Sequence, residues 1–175
     1  MELRVATEHD IPLIAAVHAQ SWRDSYRGIF PDEFLEGLVD QDRLIEWQRR
    51  IHYPKPNQHV IVASQDDQIV GFICLYSNES EQWGCFIDNL HVTNAAQGKG
   101  VGKLLMQSAA QWARDTSEHK GLFLEVLEDN FKARKFYLAL GAHHQETNLW
   151  QPPGANYHVN DLLYVWHDAQ TLLSK

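Results

Sequence analysis

The sequence predicts one α/β domain of the α+β kind, spanning residues 1–175, with a mixed, mostly antiparallel sheet and helices on both faces. Three observations carry that expectation. Periods of 2 and 3.6 residues alternate in the order β-ααα-βββ-α-β-α-ββ, which gives about seven strands. The three central strands follow one another through short polar turns, as in an antiparallel meander. The length, 175 residues, suits a single domain that buries roughly 70% of its unfolded surface.

Leu3 to Ala6 reads as a first strand. Thr7-x-x-Asp10 has the form of a capping box, and Pro12 fits a first helical turn. Ile11, Ile14, Ala15, Val17, His18 and Trp22 form the apolar stripe of a helix that stops at Tyr26-Arg27-Gly28. Pro31 opens a second short helix through Phe34, Leu35 and Leu38. Asp40-Gln41-Asp42 precedes a third, with Leu44, Ile45, Trp47 and Ile51. The period then drops to 2 over His59–Ser64, Ile69–Tyr76 and Trp83–Val92, with a turn at Gln65-Asp66-Asp67-Gln68. A glycine-rich turn leads to a helix over Gly100–Asp115. A strand over Gly121–Leu127, a helix over Asn130–Leu140 and strands over Ala142–Trp150 and His158–His167 complete the order.

Lys plus Arg number 15 and Asp plus Glu 23, for a formal charge of −8. With no basic run, the chain is a poor candidate for gripping nucleic acid through phosphates. No stretch approaches 18 apolar residues and no basic leader precedes an apolar run, so no membrane partner is expected and the cytoplasm is the expected compartment. Cys74 and Cys85 both lie in strand-like apolar segments and read as buried thiols. The 10 histidines include no His-x3-His pair, and no Cys-x2-Cys occurs, so no metal site is expected.

Gln97-Gly98-Lys99-Gly100-Val101-Gly102-Lys103 joins a strand to a helix. Glycines at alternate positions let backbone approach a ligand, and the helix start offers unpaired N–H groups at the positive end of a dipole. This suits a phosphate or diphosphate, with Lys99 and Lys103 adding charge. A P-loop is excluded, because Gln97 stands where its first glycine belongs and Leu104 where its hydroxyl belongs. A dinucleotide fingerprint would put Lys103 at its third glycine.

The pattern that remains, Gln-x-x-Gly-x-Gly at Gln97, Gly100 and Gly102, resembles the GNAT (Gcn5-related N-acetyltransferase) family. Asp88-Asn89-Leu90-His91-Val92 resembles the family's strand before the turn. Downstream, the run Leu124 to Ala142, with Asn130-x-x-Ala133-x-x-Phe136-Tyr137 and Gly141, is similar to the family's second signature. The likeness covers roughly Ile61 to Ala142; Trp22, Tyr26, Gly28 and Pro31 resemble one branch more loosely.

The resemblance implies a GNAT-like sheet and an acetyl-CoA-dependent transfer of acetyl to a primary amine. It implies that residues Gln97 to Lys103 hold the diphosphate, including Gly98, Lys99, Gly100, Val101 and Gly102. Backbone at Leu90, His91 and Val92 would pair with the pantetheine arm, and Asn130 and Ala133 would complete its site. Tyr137 would act as general acid toward the leaving thiol, since a phenol (pKa about 10) can donate to a thiolate whose acid has pKa about 8.5. An ideal helix puts Tyr137 about 10 Å beyond Asn130.

The base is less defined. The position aligned with a family glutamate is Phe86 here. Asp88, two residues along on the same face by strand alternation, is the expected base or amine anchor. His91 is expected on the opposite face, and Glu125 is a further candidate. Trp22, Tyr26, Trp83, Trp150 and Tyr157 are candidates to line the acceptor pocket. The acidic balance and Asp88 point to a small cationic amine. The family likeness also implies that a homodimer is common. The alternative to an enzyme is an acyl-CoA-binding sensor or interaction module of the same fold.

Overall fold

The computed structural model describes residues 1–66 and 68–174. Strand β1 (Glu2–Val5) leads through a 3-10 turn into helix α1 (Ile11–Tyr26), and helix α2 (Val39–His52) follows. Strands β2 (Gln58–Gln65), β3 (Gln68–Ser80) and β4 (Gly84–Val92) come next, then helix α3 (Val101–Thr116). Strand β5 (Leu122–Leu127), helix α4 (Phe131–Ala139), strands β6 (His143–Trp150) and β7 (Val159–Trp166), and a short helix α5 (Gln170–Leu173) complete the chain. All seven strands form one sheet in the order β1-β2-β3-β4-β5-β7-β6. Every pairing is antiparallel except β4 with β5.

Strand alternation sends two sets of side chains to two helical layers. Val60, Val62, Phe72, Cys74 and Tyr76 pack with Ile14 and Trp47 of α1 and α2. Ile61, Ala63, Ile73, Leu75 and Ile87 pack with Leu105, Met106 and Ala109 of α3 and with Tyr137 of α4. A third cluster joins Ala19, Phe30, Phe34, Leu35 and Leu127 where α1 reaches β5.

The element order matches the sequence expectation, with local differences. The two short helices expected after Pro31 are continuous: a π turn over Phe34–Leu38 runs straight into α2, whose first turn contains Asp40 and Asp42. Carboxylates there complement the helix dipole rather than preceding it. β3 runs on to Ser80, because the polar Ser77–Ser80 segment still reaches β4 at Ser80↔Gly84. α5 is too short for a readable period; the Asp168 side chain accepts from Gln170 N at 2.8 Å at its start. The turn expected at Gln65 to Gln68 includes Asp67, which lies outside the described residues.

The start of α1 behaves as its motif requires. Asp10 accepts from Thr7 N at 2.7 Å and takes two bonds from the Arg4 guanidinium, at 2.7 and 2.8 Å. Arg4 foremost, then Thr7, hold the Asp10 carboxyl at about 2 against the opposing effect of its burial. A depressed folded pKa stabilises above the unfolded value and loses that stabilisation as pH falls through the folded one. Denaturant titrations from pH about 5 to about 2 are therefore expected to show an acid loss of stability that Asp10→Asn flattens; an unchanged slope in the variant contradicts this.

One feature of the sheet positions the site. β4 and β5 pair only at Cys85↔Leu122 and Phe86↔Phe123. They meet there because Gly84 and Gly121 carry no side chain: a Cβ on Gly84 would lie 2.6 Å from the Gly121 carbonyl oxygen. Beyond Phe86 the register with β3 slips, from Leu75↔Ile87 to Cys74↔Asn89, leaving Asp88 as an extra, bulged residue. A bulge bends its strand and increases its twist. The two parallel strands have no further pairing, and a gap opens between them.

Candidate active site

The gap is the mouth of a cavity of about 570 Å³. Strands β4 and β5 wall it, and residues from α1, α2, α4 and the glycine turn close it. It passes through the sheet. Phe136 and Tyr137 border it from the α3–α4 side, and Trp22 and Phe30 from the α1–α2 side.

At one end lies the glycine turn. Gly98 and Gly100 have φ of +75° and +84°, which side-chain-bearing residues rarely adopt. A Cβ at either would meet nothing within 4 Å, so the backbone is open to a ligand there. A Cβ on Gly102 would lie 3.1 Å from the Phe136 ring, so that glycine serves packing between α3 and α4. The first helical hydrogen bond of α3 is Leu104 N to Gly100 O, at 3.0 Å. The amides of Val101, Gly102 and Lys103 precede it, and the first turn carries no acidic residue. Gln97 donates to Val92 O at 2.9 Å and accepts from Lys132 Nζ, which ties the turn to both β4 and α4. Lys103 and Lys132 border the cavity, whereas Lys99 is exposed and does not.

The free edge of β4 follows from one bond. Thr93 N donates to Val70 O at 2.9 Å, so its N–H faces β3. Successive amides of a strand alternate between its two edges. The N–H groups of Val92 and Leu90 therefore face the gap, and the Val92 carbonyl, taken by Gln97, faces the same way.

The bulge changes two expectations. His91 was expected opposite Asp88, but the extra residue shifts the alternation. His91 turns toward α1, where its Nδ1 lies 2.8 Å from Ser21 Oγ and its ring centroid 4.4 Å from that of His18. Burial first, then the Arg43 charge, drop its pKa to about 3, so the ring is neutral. Asp88 and Asn89 both reach Arg50 of α2: Asp88 in an ion pair, Asn89 Oδ1 at 3.0 Å from Arg50 Nη1. Glu46 holds the same guanidinium at 2.6 Å. Asp88 thus stands at the cavity wall in an ion pair that clamps the bulge to α2.

Tyr137 is 8% exposed and borders the cavity. Burial, then Tyr26, push its pKa upward, which keeps the hydroxyl protonated. Burial also raises Tyr26 to about 12, with the nearby Asn130 side chain opposing the rise. Asn130 additionally caps α4, accepting from Ala133 N at 3.1 Å. Trp22, Phe30 and Trp150 form an aromatic wall, with Phe30 centroids 5.2 Å from Trp22 and 5.7 Å from Trp150. Arg43 lies 4.2 Å over the Trp22 ring. Two expected lining residues are elsewhere. Trp83 packs near His167, and Tyr157 bonds the Ile29 carbonyl at 2.5 Å; strand ends and loops gave no pattern to fix their direction.

The family model described as "Acetyltransferase (GNAT) family" matches residues 19–142. The chain belongs to the GNAT family. Membership makes acetyl transfer its class of activity. A "probable N-acetyltransferase" of Mycobacterium tuberculosis is 28% identical over 171 residues, covering 94% of each chain. A spermine/spermidine N(1)-acetyltransferase of Bacillus subtilis is 24% identical over 102 residues, covering 55% of this chain and 64% of that one. The fold of this GNAT protein is also that of a Thermoplasma acidophilum N-acetyltransferase solved with coenzyme A. The TM-score is 0.73 at 21% identity, over 94% of this chain and 96% of that one.

Sequence reasoning missed several residues around the site of this GNAT protein, among them Arg43, Lys132, Arg50, Phe30 and Asp161. Arg50 falls on the stripe of α2 beside Trp47, one turn from it, with Arg43 on the other side, and charges in such a stripe are a readable signal. Asp161 is an acid in register with Leu163 and Val165, on the inward alternation of β7, which is a signal of the same kind. Among the described residues, no three His, Cys, Asp or Glu side chains gather as a metal site, and no helix is long and apolar enough to cross a membrane.

Proposed function

We propose that this GNAT protein transfers acetyl from acetyl-CoA to a primary amine of a small cationic molecule by direct attack, with Tyr137 as general acid. The observation that carries the reading is a gap in a parallel strand pair that runs onto the open N-terminus of α3. Acetyl-CoA supplies the acyl thioester and the leaving thiol. The residues present fit it: the Gly98 and Gly100 backbone is unobstructed, and α3 has amides and no first-turn acid to oppose a diphosphate.

The amides of Leu90 and Val92 lie where an extended pantetheine arm can pair as an added strand. Asn130 and Ala133 border the same stretch from α4. The Leu90 and Val92 amides also supply donors toward a thioester oxygen. Tyr137, held protonated by burial, supplies the proton for sulfur. The amine enters from the opposite face, past Trp22, Phe30 and Trp150. The coenzyme in the Thermoplasma relative and the polyamines in the name of the Bacillus relative support the same reading.

Incubation with acetyl-CoA and a panel of primary amines is the test. Release of free CoA thiol that depends on an amine is expected. Acetyl-CoA binding with no thiol release across the panel contradicts the enzyme reading and favours an acyl-CoA sensor.

A further inference from the structure

Among the acids at the cavity, Asp88 has a cationic partner and two others do not. Asp161 of β7 is 8% exposed yet borders the cavity. Glu125 of β5 borders it as well. Asp161 pairs in register with Leu127, and Glu125 with Leu163, two residues along on the same face. Among the described residues, no Lys, Arg or His side chain forms an ion pair with either carboxylate. Asp161 is buried without a cation beside Glu125, which is exposed toward the cavity, and a buried carboxylate in that setting is costly unless something supplies the missing charge.

We propose that Asp161 and Glu125 form the seat for the acceptor's ammonium group, and that Asp161 takes the proton that frees the amine for attack. This rests on the acetyl-transfer reading above. The groups that face Asp161 support the assignment. Glu125 comes from β5 and Tyr26 from α1, with Tyr137 of α4 next to Tyr26; Asn148, its register partner on β6, carries no charge. Burial first, then the Glu125 charge, raise Asp161 to about 7, and burial, then Asp88, raise Glu125. A carboxylate poised there accepts a proton from an ammonium of pKa about 10.4 better than an ordinary one does.

The protons balance. Asp161 takes one from the ammonium and passes it to water. The neutral nitrogen forms the C–N bond as the C–S bond breaks. Tyr137 gives its proton to sulfur, and the second nitrogen proton replaces it. The net products are the amide, the free thiol and one released proton. The aromatic wall of Trp22, Phe30 and Trp150 beside the two carboxylates suits an aliphatic amine with a second positive charge.

The test uses spermidine as probe, first by calorimetric titration of the CoA-bound protein and then with acetyl-CoA in turnover. Asp161→Asn and Glu125→Gln are each expected to weaken spermidine binding at least tenfold, with CoA affinity unchanged. Asp161→Asn is also expected to lower kcat/KM about a hundredfold and to remove a rise in kcat/KM through pH about 7; Asp161→Glu restores part of the rate. Unaltered spermidine affinity in both variants, or no binding to the wild type, overturns the seat. A pH profile that Asp161→Asn leaves intact overturns the proton role. Absence of thiol release beside charge-dependent spermidine binding sustains the seat and counts against the acetyl-transfer reading alone.

Discussion

Tyr137→Phe is expected to lower kcat by about 10²- to 10³-fold while leaving the dissociation constant for CoA within about twofold. The substitution removes one oxygen and keeps the ring that packs against Phe136 and Trp166, at centroid distances of 5.3 and 6.0 Å. The scaffold is therefore kept and only the proton donor is lost. Without it, sulfur leaves as an unassisted thiolate. The sign of the pKa displacement matters. A phenol pushed upward stays protonated through the neutral range, so the wild-type rate should show no basic limb from Tyr137 below pH about 10. Steady-state kinetics with acetyl-CoA and the best amine, paired with titration of CoA, measure both quantities. Unchanged kcat would remove the role assigned to Tyr137.

Arg50→Ala is expected to cost about 3 kcal/mol of stability, read as a lower urea midpoint. The side chains of Arg50 and Asp88 are 13% and 23% exposed. Truncation leaves Asp88 and the Asn89 carbonyl oxygen facing α2 without their donor, and Glu46 keeps only Arg49. It also removes the guanidinium 5.3 Å from the Trp47 ring. Because Asp88 is the bulged residue, its loss of anchorage should also narrow the gap and raise KM for acetyl-CoA. Adding Asp88→Asn is expected to return part of the stability, since the orphaned charge is what costs most. A loss under about 1 kcal/mol for the single variant would mean the clamp is incidental.

How much of this could be read beforehand depends on the kind of signal. The strand and helix order was legible because period 2 and period 3.6 are local patterns, and Gly98, Gly100 and Gly102 announced a turn that ends a strand and opens a helix. The bulge at Asp88 was not legible. It arises from how β4 meets β3, a contact between strands, and it reverses any face assignment made by alternation past it. That is why His91 lies on the α1 side and why Asp88, expected as base or amine anchor, is paired with Arg50 from a helix 38 residues earlier. Asp161 was missed for a related reason. Its neighbours Glu125 and Tyr26 come from β5 and α1, and only the sheet order β5-β7 brings the carboxylates together. The family resemblance named the α3 and α4 motifs in advance and pointed to Asp88, with Glu125 a further candidate, but it did not point to Asp161.

The central claim is that the amides opening α3 hold a diphosphate while the arm that follows it lies along β4. Calorimetric titration with CoA and with pantetheine, which lacks the diphosphate, tests it directly. The account predicts that CoA binds at least about a hundredfold more tightly, about 2.7 kcal/mol, and that the difference shrinks in high salt. Equal affinity for the two, or no binding of CoA, would contradict it.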